Sequence, residues 1–272
     1  MRRFFKIYKP FAGAGLQSFM AYRFNFIFFM LGEILKCFIM FFVWKAVFES
    51  SNSETFMGFS MIDMTVYLFI TFLTGYLTYS DGAYAVGEEI RDGSIAMRMI
   101  KPVSFDMTFL FTELGQKLMV SGIVLVPICI GVEIYKYFAS GEFMFNVVNF
   151  LLFVVSVMLA YLISFFFNVC YGFLAFFLKN LWGSNILKEV IVDFLSGATI
   201  PLAFLPAVLK DVLMFLPFSS LSYTPVMIYM GVYSYQKAIG LIAVQLFWVV
   251  VFWLVSKLIW HSAVKRLCVQ GG

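Results

Sequence analysis

Charge is what this 272-residue sequence has least of. Asp, Glu, Lys and Arg make up 12% of it, and there is one histidine, His261. A soluble domain carries about 25% charged residues. So little charge, beside 62% apolar residues and 36 phenylalanines, excludes a soluble single core, because the exterior would be adhesive. A disordered chain and a nucleic-acid binder are excluded on the same composition. The four cysteines, Cys37, Cys129, Cys170 and Cys268, stand singly with no C-x-x-C spacing. They read as small core hydrophobes, so neither a disulfide framework nor a metal site is expected. Also missing are G-x-x-x-x-G-K-[ST], H-E-x-x-H and G-x-S-x-G. Without a phosphate cradle or a nucleophile with its base, the chain is not expected to be an enzyme. The N-terminus has no apolar region or small-residue cleavage site of a signal peptide.

What is there needs lipid as its solvent. A bilayer core of about 30 Å takes roughly 20 apolar residues per helix. Six runs qualify, at residues 24–48, 64–86, 108–135, 145–178, 186–204 and 238–260, the fifth of them broken. The fourth would be roughly 50 Å long as a helix, so it either protrudes or kinks, with Asn168 to Gly172 the natural place. Splitting it would give seven spans, which the charge distribution opposes. Arg2, Arg3, Lys6, Lys9, Arg23, Arg91, Arg98, Lys101, Lys179, Lys265 and Arg266 fall on one side of a six-span arrangement. The other side holds Glu49, Glu54, Asp63, Lys136, Glu142, Lys210, Asp211 and Lys237. The positive-inside rule then places both termini in the cytoplasm.

The expected fold is an all-α polytopic membrane protein forming one transmembrane domain over residues 24–265. Residues 1–23 form a cytoplasmic, amphipathic interfacial segment in which basic and aromatic side chains alternate, and 266–272 form a tail. Such a segment favours the headgroup layer, although an ordinary positive-inside flank would have the same composition. No G-x-x-x-G occurs in the spans, so nothing local predicts a tight helix seam.

The densest charge lies in the inside loop 87–107, GEEIRDGSIAMRMIKPVSFDM. Glu88, Glu89, Arg91 and Asp92 form a charged patch, Gly93 breaks it, and Pro102 stops the short amphipathic turn that follows. A compact charged helix is a suitable handle for a cytoplasmic partner; a solvated positive-inside loop is the plainer reading. The string E-E-I-R-D-G-S-I-A-M-R-M-I-K-P-V resembles the inside loop of ABC-2 type permeases, the membrane subunits of bacterial ABC exporters. The order of elements is similar too. A second resemblance is the G-x-x-x-P-L-x-x-x-P pattern at Gly197, Pro201, Leu202 and Pro206, which in that family introduces short helices re-entering the membrane from outside, here over 197–225.

The resemblance implies a permease subunit of an ATP-driven exporter in the bacterial cell membrane, working as a dimer with a second copy or a homologous permease. Two copies of a separate ATPase subunit would bind ATP and Mg, so this chain would carry no cofactor itself. Glu88, Glu89, Arg91 and Arg98 would make charged contacts with that subunit, Ile95, Met97 and Met99 apolar ones, and Gly93 and Pro102 would bound the coupling helix. Gly197, Pro201, Leu202 and Pro206 would form an outer gate. An ATP-independent channel, scramblase or secondary carrier is the alternative. An importer subunit fits less well, because its comparable loop sits late in the chain.

Ionisable groups at membrane depth default to function. Glu33 with Lys36, and Glu113 with Lys117, are spaced to pair along one helix face, a structural use. Glu189 and Asp193 are carboxylates four apart with Lys188 alongside rather than between them. Either they face a pathway and attract a cationic substrate, or Lys188 or a neighbouring helix neutralises them. Phe165, Phe166, Phe167, Tyr171, Phe173, Phe176 and Phe177 nearly encircle the fourth span. They face lipid and protein, or else offer a surface to a lipid-like or aromatic small molecule.

Overall fold

A computed structural model describes residues 2–51, 55–99, 103–141, 145–178 and 180–264. The tail 266–272, Pro102 and the side chain of Met99 lie outside the described residues. The chain opens with α1 (Arg2–Ala21) and α2 (Arg23–Ser51). A two-stranded ribbon, β1 (Thr55–Phe56) and β2 (Phe59–Ser60), turns it into α3 (Met61–Thr78), α4 (Gly82–Arg91) and α5 (Ile95–Met99). Next come α6 (Phe105–Val120), a π turn at Ser121–Leu125, and α7 (Val126–Ser140). Then follow α8 (Val147–Gly172), a 3-10 turn at Phe173–Phe176, and α9 (Trp182–Leu195). After a 3-10 turn at Leu202–Phe204 lie α10 (Ala207–Phe215), α11 (Tyr223–Tyr229) and the long α12 (Tyr235–Val264).

Local chemistry sets several boundaries. Ser60 caps α3 through a reciprocal box: its hydroxyl accepts from the Asp63 N–H at 3.1 Å, while the Asp63 carboxylate accepts from the Ser60 N–H at 3.0 Å. Asn146 caps α8 by accepting from the N–H groups of Val148 and Asn149. The π turn directly precedes Pro127, at the start of α7. Proline has no N–H to continue an α-helical ladder, and the wider turn absorbs that gap.

Five segments among the described residues are long and apolar enough to cross a membrane: Phe24–Ser51, Met61–Arg91, Phe105–Ser140, Val147–Phe176 and Tyr235–Ala263. The expected count was six. The broken segment read at 186–204 is not among the five; it comprises the 14-residue α9, about 21 Å long, followed by short helices. The fourth run continues as helix through Asn168, whose side-chain amide donates to the Ser164 carbonyl, and it tightens after Gly172. The second run, expected unbroken over 64–86, stops at Thr78 and restarts at Gly82. In Tyr79-Ser80-Asp81-Gly82, the Ser80 hydroxyl accepts from the Gly82 N–H and donates to Glu113. It thus replaces ladder bonds with turn bonds.

Helix α3 is the spine, with Met64, Ile70 and Leu73 fully buried among α2, α7, α8 and α11. Lipid tails are as apolar as these side chains, so close packing and polar ties, rather than removal from water, hold such helices together. One polar tie is complete: Gln245 of α12 donates to the carbonyls of Ser156 and Ser220 and accepts from the Ser156 hydroxyl. The N-terminal segment packs lengthwise along α6. Gly15 and Gly115 let the two backbones touch, since a Cβ on Gly15 would lie 1.9 Å from the Thr112 carbonyl oxygen. A Cβ on Gly115 would lie 2.0 Å from that of Ala12. Tyr8 stacks on Phe111 and accepts from the Ser104 N–H.

Candidate functional site

Two features hold residues expected at the site, a handle at α4 and α5 and a cleft beside α2, α3, α6 and α9. The first is the handle. Helix α4 packs on α8 and its 3-10 turn, with Gly87 against Leu181 and Gly172 against Val86. It ends in an Asp92-Gly93-Ser94 turn, where Gly93 takes φ +79°, a left-handed backbone that costs other residues energy. The Ser94 N–H donates to the Asp92 carboxylate at 2.8 Å, and this bonding to Ser94 holds that carboxyl below its ordinary range.

The expected docking residues then divide. Arg98 donates through Nε and Nη2 to both oxygens of Glu89, through Nη1 to the Thr108 hydroxyl at 2.7 Å, and lies 4.1 Å over the Phe109 ring. These two residues therefore clamp the handle to α6 and do not face outward. Ile95 is 1% exposed, in a cluster with Val86, Phe105 and Phe165. Glu88 and Arg91 do point away from the body, 3.7 Å apart and both well exposed, as does Met97. Beside Glu88 and Arg91 is a depression of about 270 Å³ bordered by Tyr84, Leu181 and Trp182. The base of the handle is tied further by Lys257 to Asp106 at 2.6 Å and by Phe105 stacked on Trp260.

The second feature is a cleft of about 620 Å³ between α2, α3, α6 and α9. Glu189 and Asp193 both line it, as do Glu33, Lys36, Asp81 and Lys117. Lys188 makes no direct ion pair with the α9 carboxylates among the described residues, although its charge acts on Glu189, as that of Lys36 on α2 acts on Asp193. The Lys188 ammonium donates to the Asn168 side-chain oxygen and lies over the Tyr171 ring, 4.9 Å from the centroid. Glu189 accepts one bond, from the Asn185 amide. Glu33 and Lys36 pair as expected, at 3.8 Å. Glu113 and Lys117 act on each other electrostatically as their spacing implies but make no direct ion pair: Glu113 accepts from Ser80 and Tyr161, while Lys117 donates to the Tyr76 carbonyl. That carbonyl lost its ladder partner when α3 ended, so Lys117 acts as a C-terminal cap.

The unwound stretch at 79–81 contributes Tyr79 and Asp81 to the cleft wall, and irregular backbone at membrane depth survives where it lines a polar cavity or is buried in protein. Asp81 escaped the sequence reading because it fell inside an apparently unbroken span. The turn-forming residues Ser80, Asp81 and Gly82 were the available signal.

Above the cleft, the expected gate residues form a packed knot. Gly197 takes φ +83° at the end of α9, and its carbonyl accepts from the buried Tyr67 hydroxyl at 2.6 Å. Leu202 is fully buried and Pro201 buried, while Pro206 is exposed at the start of α10. Phe204 packs edge-on against Trp44, Phe56 and Phe59. The chain returns so that the Tyr223 N–H donates to the Ser196 carbonyl. Of the aromatic row on α8, Phe165, Phe166 and Phe173 are interior, and Phe177 is exposed.

Comparison with known families gives a match over residues 34–271 to a family described as ABC-2 family transporter protein. No curated protein matches the chain.

Proposed function

The chain belongs to the ABC-2 transporter family, whose members are membrane subunits that do not themselves hydrolyse ATP, and from this premise we propose that it is the permease of an ATP-driven exporter. In this reading two copies, or this chain and a homologous permease, form the pathway, and two ATPase subunits bind ATP and Mg on the cytoplasmic side. The protein sits in a bacterial cell membrane with six membrane-embedded segments and both termini inside, α9 and the short helices after it making the re-entrant fifth.

The observation that carries the reading is the handle. A charged, exposed pair, Glu88 and Arg91, is held on a base fastened to α6 through the Glu89–Arg98 clamp and packed on α8, with α6 in turn tied to α12 by the Lys257–Asp106 pair. A partner that grips Glu88, Arg91 and Met97 moves those helices as a unit. In this arrangement the cleft faces inward, and the knot of Gly197, Pro201, Leu202 and Tyr67 closes the outer side; Pro206 opens the short helix above it. Helices α2 and α9 flank the cleft with apolar faces left uncovered, and the second permease closes it there. ATP-driven approach of the two ATPases shifts the population toward an outward-facing state.

The test is isolation of the tagged chain from its native membrane in mild detergent. The expected result is co-purification of an ATP-hydrolysing chain in roughly equal amount, with hydrolysis retained in the isolated complex. Isolation without any nucleotide-hydrolysing partner, from membranes that contain the complete transporter, would contradict the proposal.

A further inference from the structure

The cleft has a chemical character that the family assignment does not supply. Four carboxylates, Glu33, Asp81, Glu189 and Asp193, share its wall with two ammonium groups, Lys36 and Lys117. Lys36 lies 3.8 Å from Glu33 and also acts on Asp193, and Lys117 donates to the end of α3. Asp81 accepts only the Tyr79 hydroxyl, Glu189 one amide, and no ion pair reaches Glu189 or Asp193 among the described residues. The four carboxylates outnumber the two ammonium groups on the same wall, so the cleft carries an excess of negative charge even with Lys188, Lys36 and Lys117 acting on Glu189, Asp193 and Asp81 from nearby, and ionisable groups in a membrane domain default to function.

A second observation points to a ligand. The cleft continues past Gly75, Tyr79, Glu189, Asp193 and Ala198 into a recess of about 120 Å³. Ser222 and Lys188 line that recess; Ser222 is 3% exposed and its hydroxyl has no hydrogen-bond partner among the described residues. A buried hydroxyl without a partner is costly, and a ligand's donor or acceptor would offset that cost. The remaining wall is apolar and aromatic, with Phe26, Met40, Leu68, Phe72 and Tyr76. The volume is in the range of sites for drug-sized molecules. Ring faces favour cations, and no group of His, Cys, Asp and Glu with metal-ligand geometry occurs among the described residues.

We propose that the cleft binds a hydrophobic organic cation, its charge between Glu189, Asp193 and Asp81, its apolar body on the rings of α2 and α3, and a polar end reaching Ser222. This rests on reading the cleft as part of the translocation pathway, and it names the class of substrate.

Cys37 makes the proposal testable, because it lines the cleft beside Glu33. The purified full-length chain is labelled with a cationic methanethiosulfonate (ethyltrimethylammonium) or an anionic one (ethylsulfonate), and modification of Cys37 is read by peptide mass spectrometry. The ratio of cationic to anionic labelling is expected to exceed that of the denatured chain by about tenfold, as for a cavity that concentrates counter-ions. It should fall toward the denatured value in Glu189→Gln with Asp193→Asn. Tetraphenylphosphonium should protect Cys37, and tetraphenylborate, alike in shape and opposite in charge, should not. Should the double variant fail to fold, this comparison on the unaltered chain decides alone. Equal protection by both ions, or a labelling ratio no higher than in the denatured chain, overturns the proposal. The measurement needs no ATPase, so failure here leaves the permease reading standing, and failure to isolate a nucleotide-hydrolysing partner leaves this result untouched.

Discussion

Replacing Gly115 with alanine is expected to unseat α1 from α6 and lower the melting temperature of the purified chain by roughly 6 °C or more. The methyl carbon would sit 2.0 Å from the Ala12 carbonyl oxygen, where a C–H···O contact needs about 3.3 Å. Neither partner can yield by turning a side chain, because both are backbone. The helix axes must separate by on the order of 1 Å, and the matching contact at Gly15, 1.9 Å for its own Cβ, opens with them. Overpacking costs about 1–3 kcal/mol, and this case belongs at the upper end because the Tyr8–Phe111 stack and the Tyr8–Ser104 bond lie on the same seam. Gly13→Ala is the control. A Cβ there meets nothing within 4 Å, and alanine is the better helix former by up to about 1 kcal/mol. Gly13→Ala should therefore leave the melting temperature unchanged or raise it. A loss of stability shared by both variants would show that helix composition, not the seam, is at work.

The second large effect is expected at Arg98. Removing this side chain leaves Glu89 and the Thr108 hydroxyl without their charged partner, with Glu89 only 19% exposed. Breaking a buried ion pair costs about 3–5 kcal/mol, and partial exposure moves the expectation to about 3. The loss falls on the handle, so its local opening rather than global unfolding should change. Amides of α4 and α5 should exchange hydrogen about 100-fold faster in Arg98→Ala, and those of α3 and α8 should not. Glu89→Leu combined with Arg98→Met should restore slow exchange, since apolar replacement of a buried pair is often neutral or stabilising. Failure of that pair to restore protection would mean the clamp is held by more than the ion pair and its packing on Phe109.

The membrane class and most helices were legible because hydropathy is a property of long windows. Residues 24–48, 108–135 and 238–260 each fall within a helix or a pair of helices joined by one π turn. The break at 79–81 was not legible that way, as three residues hardly move an average over twenty. What breaks the helix is Ser80 reaching Glu113, 33 residues away in sequence. The same holds for the seam of α1 on α6, whose glycines lie 100 positions apart and form no G-x-x-x-G. In the loop 87–107, composition located the charge but not its direction. Arg98 turns inward because Glu89, Thr108 and Phe109 converge on it, and Ile95 because its turn of helix rests on α6 and α8. For Glu189 and Asp193 spacing alone supports two readings, and the structure keeps both: the carboxylates line the cleft, while Lys188, engaged with Asn168 and Tyr171, and Lys36 act on them from nearby.

The central claim is that an ATPase grips this permease at the handle. A benzophenone photo-cross-linker installed at Met97, which is 60% exposed, tests it in native membranes, with Val208 at the opposite end of the bundle, 79% exposed, as the comparison site. The account predicts that residue 97 captures a nucleotide-hydrolysing chain, with a yield that changes when ATP is trapped, and that residue 208 captures none. Capture of such a chain from residue 208, or no capture from residue 97 while the complex remains intact, would contradict it.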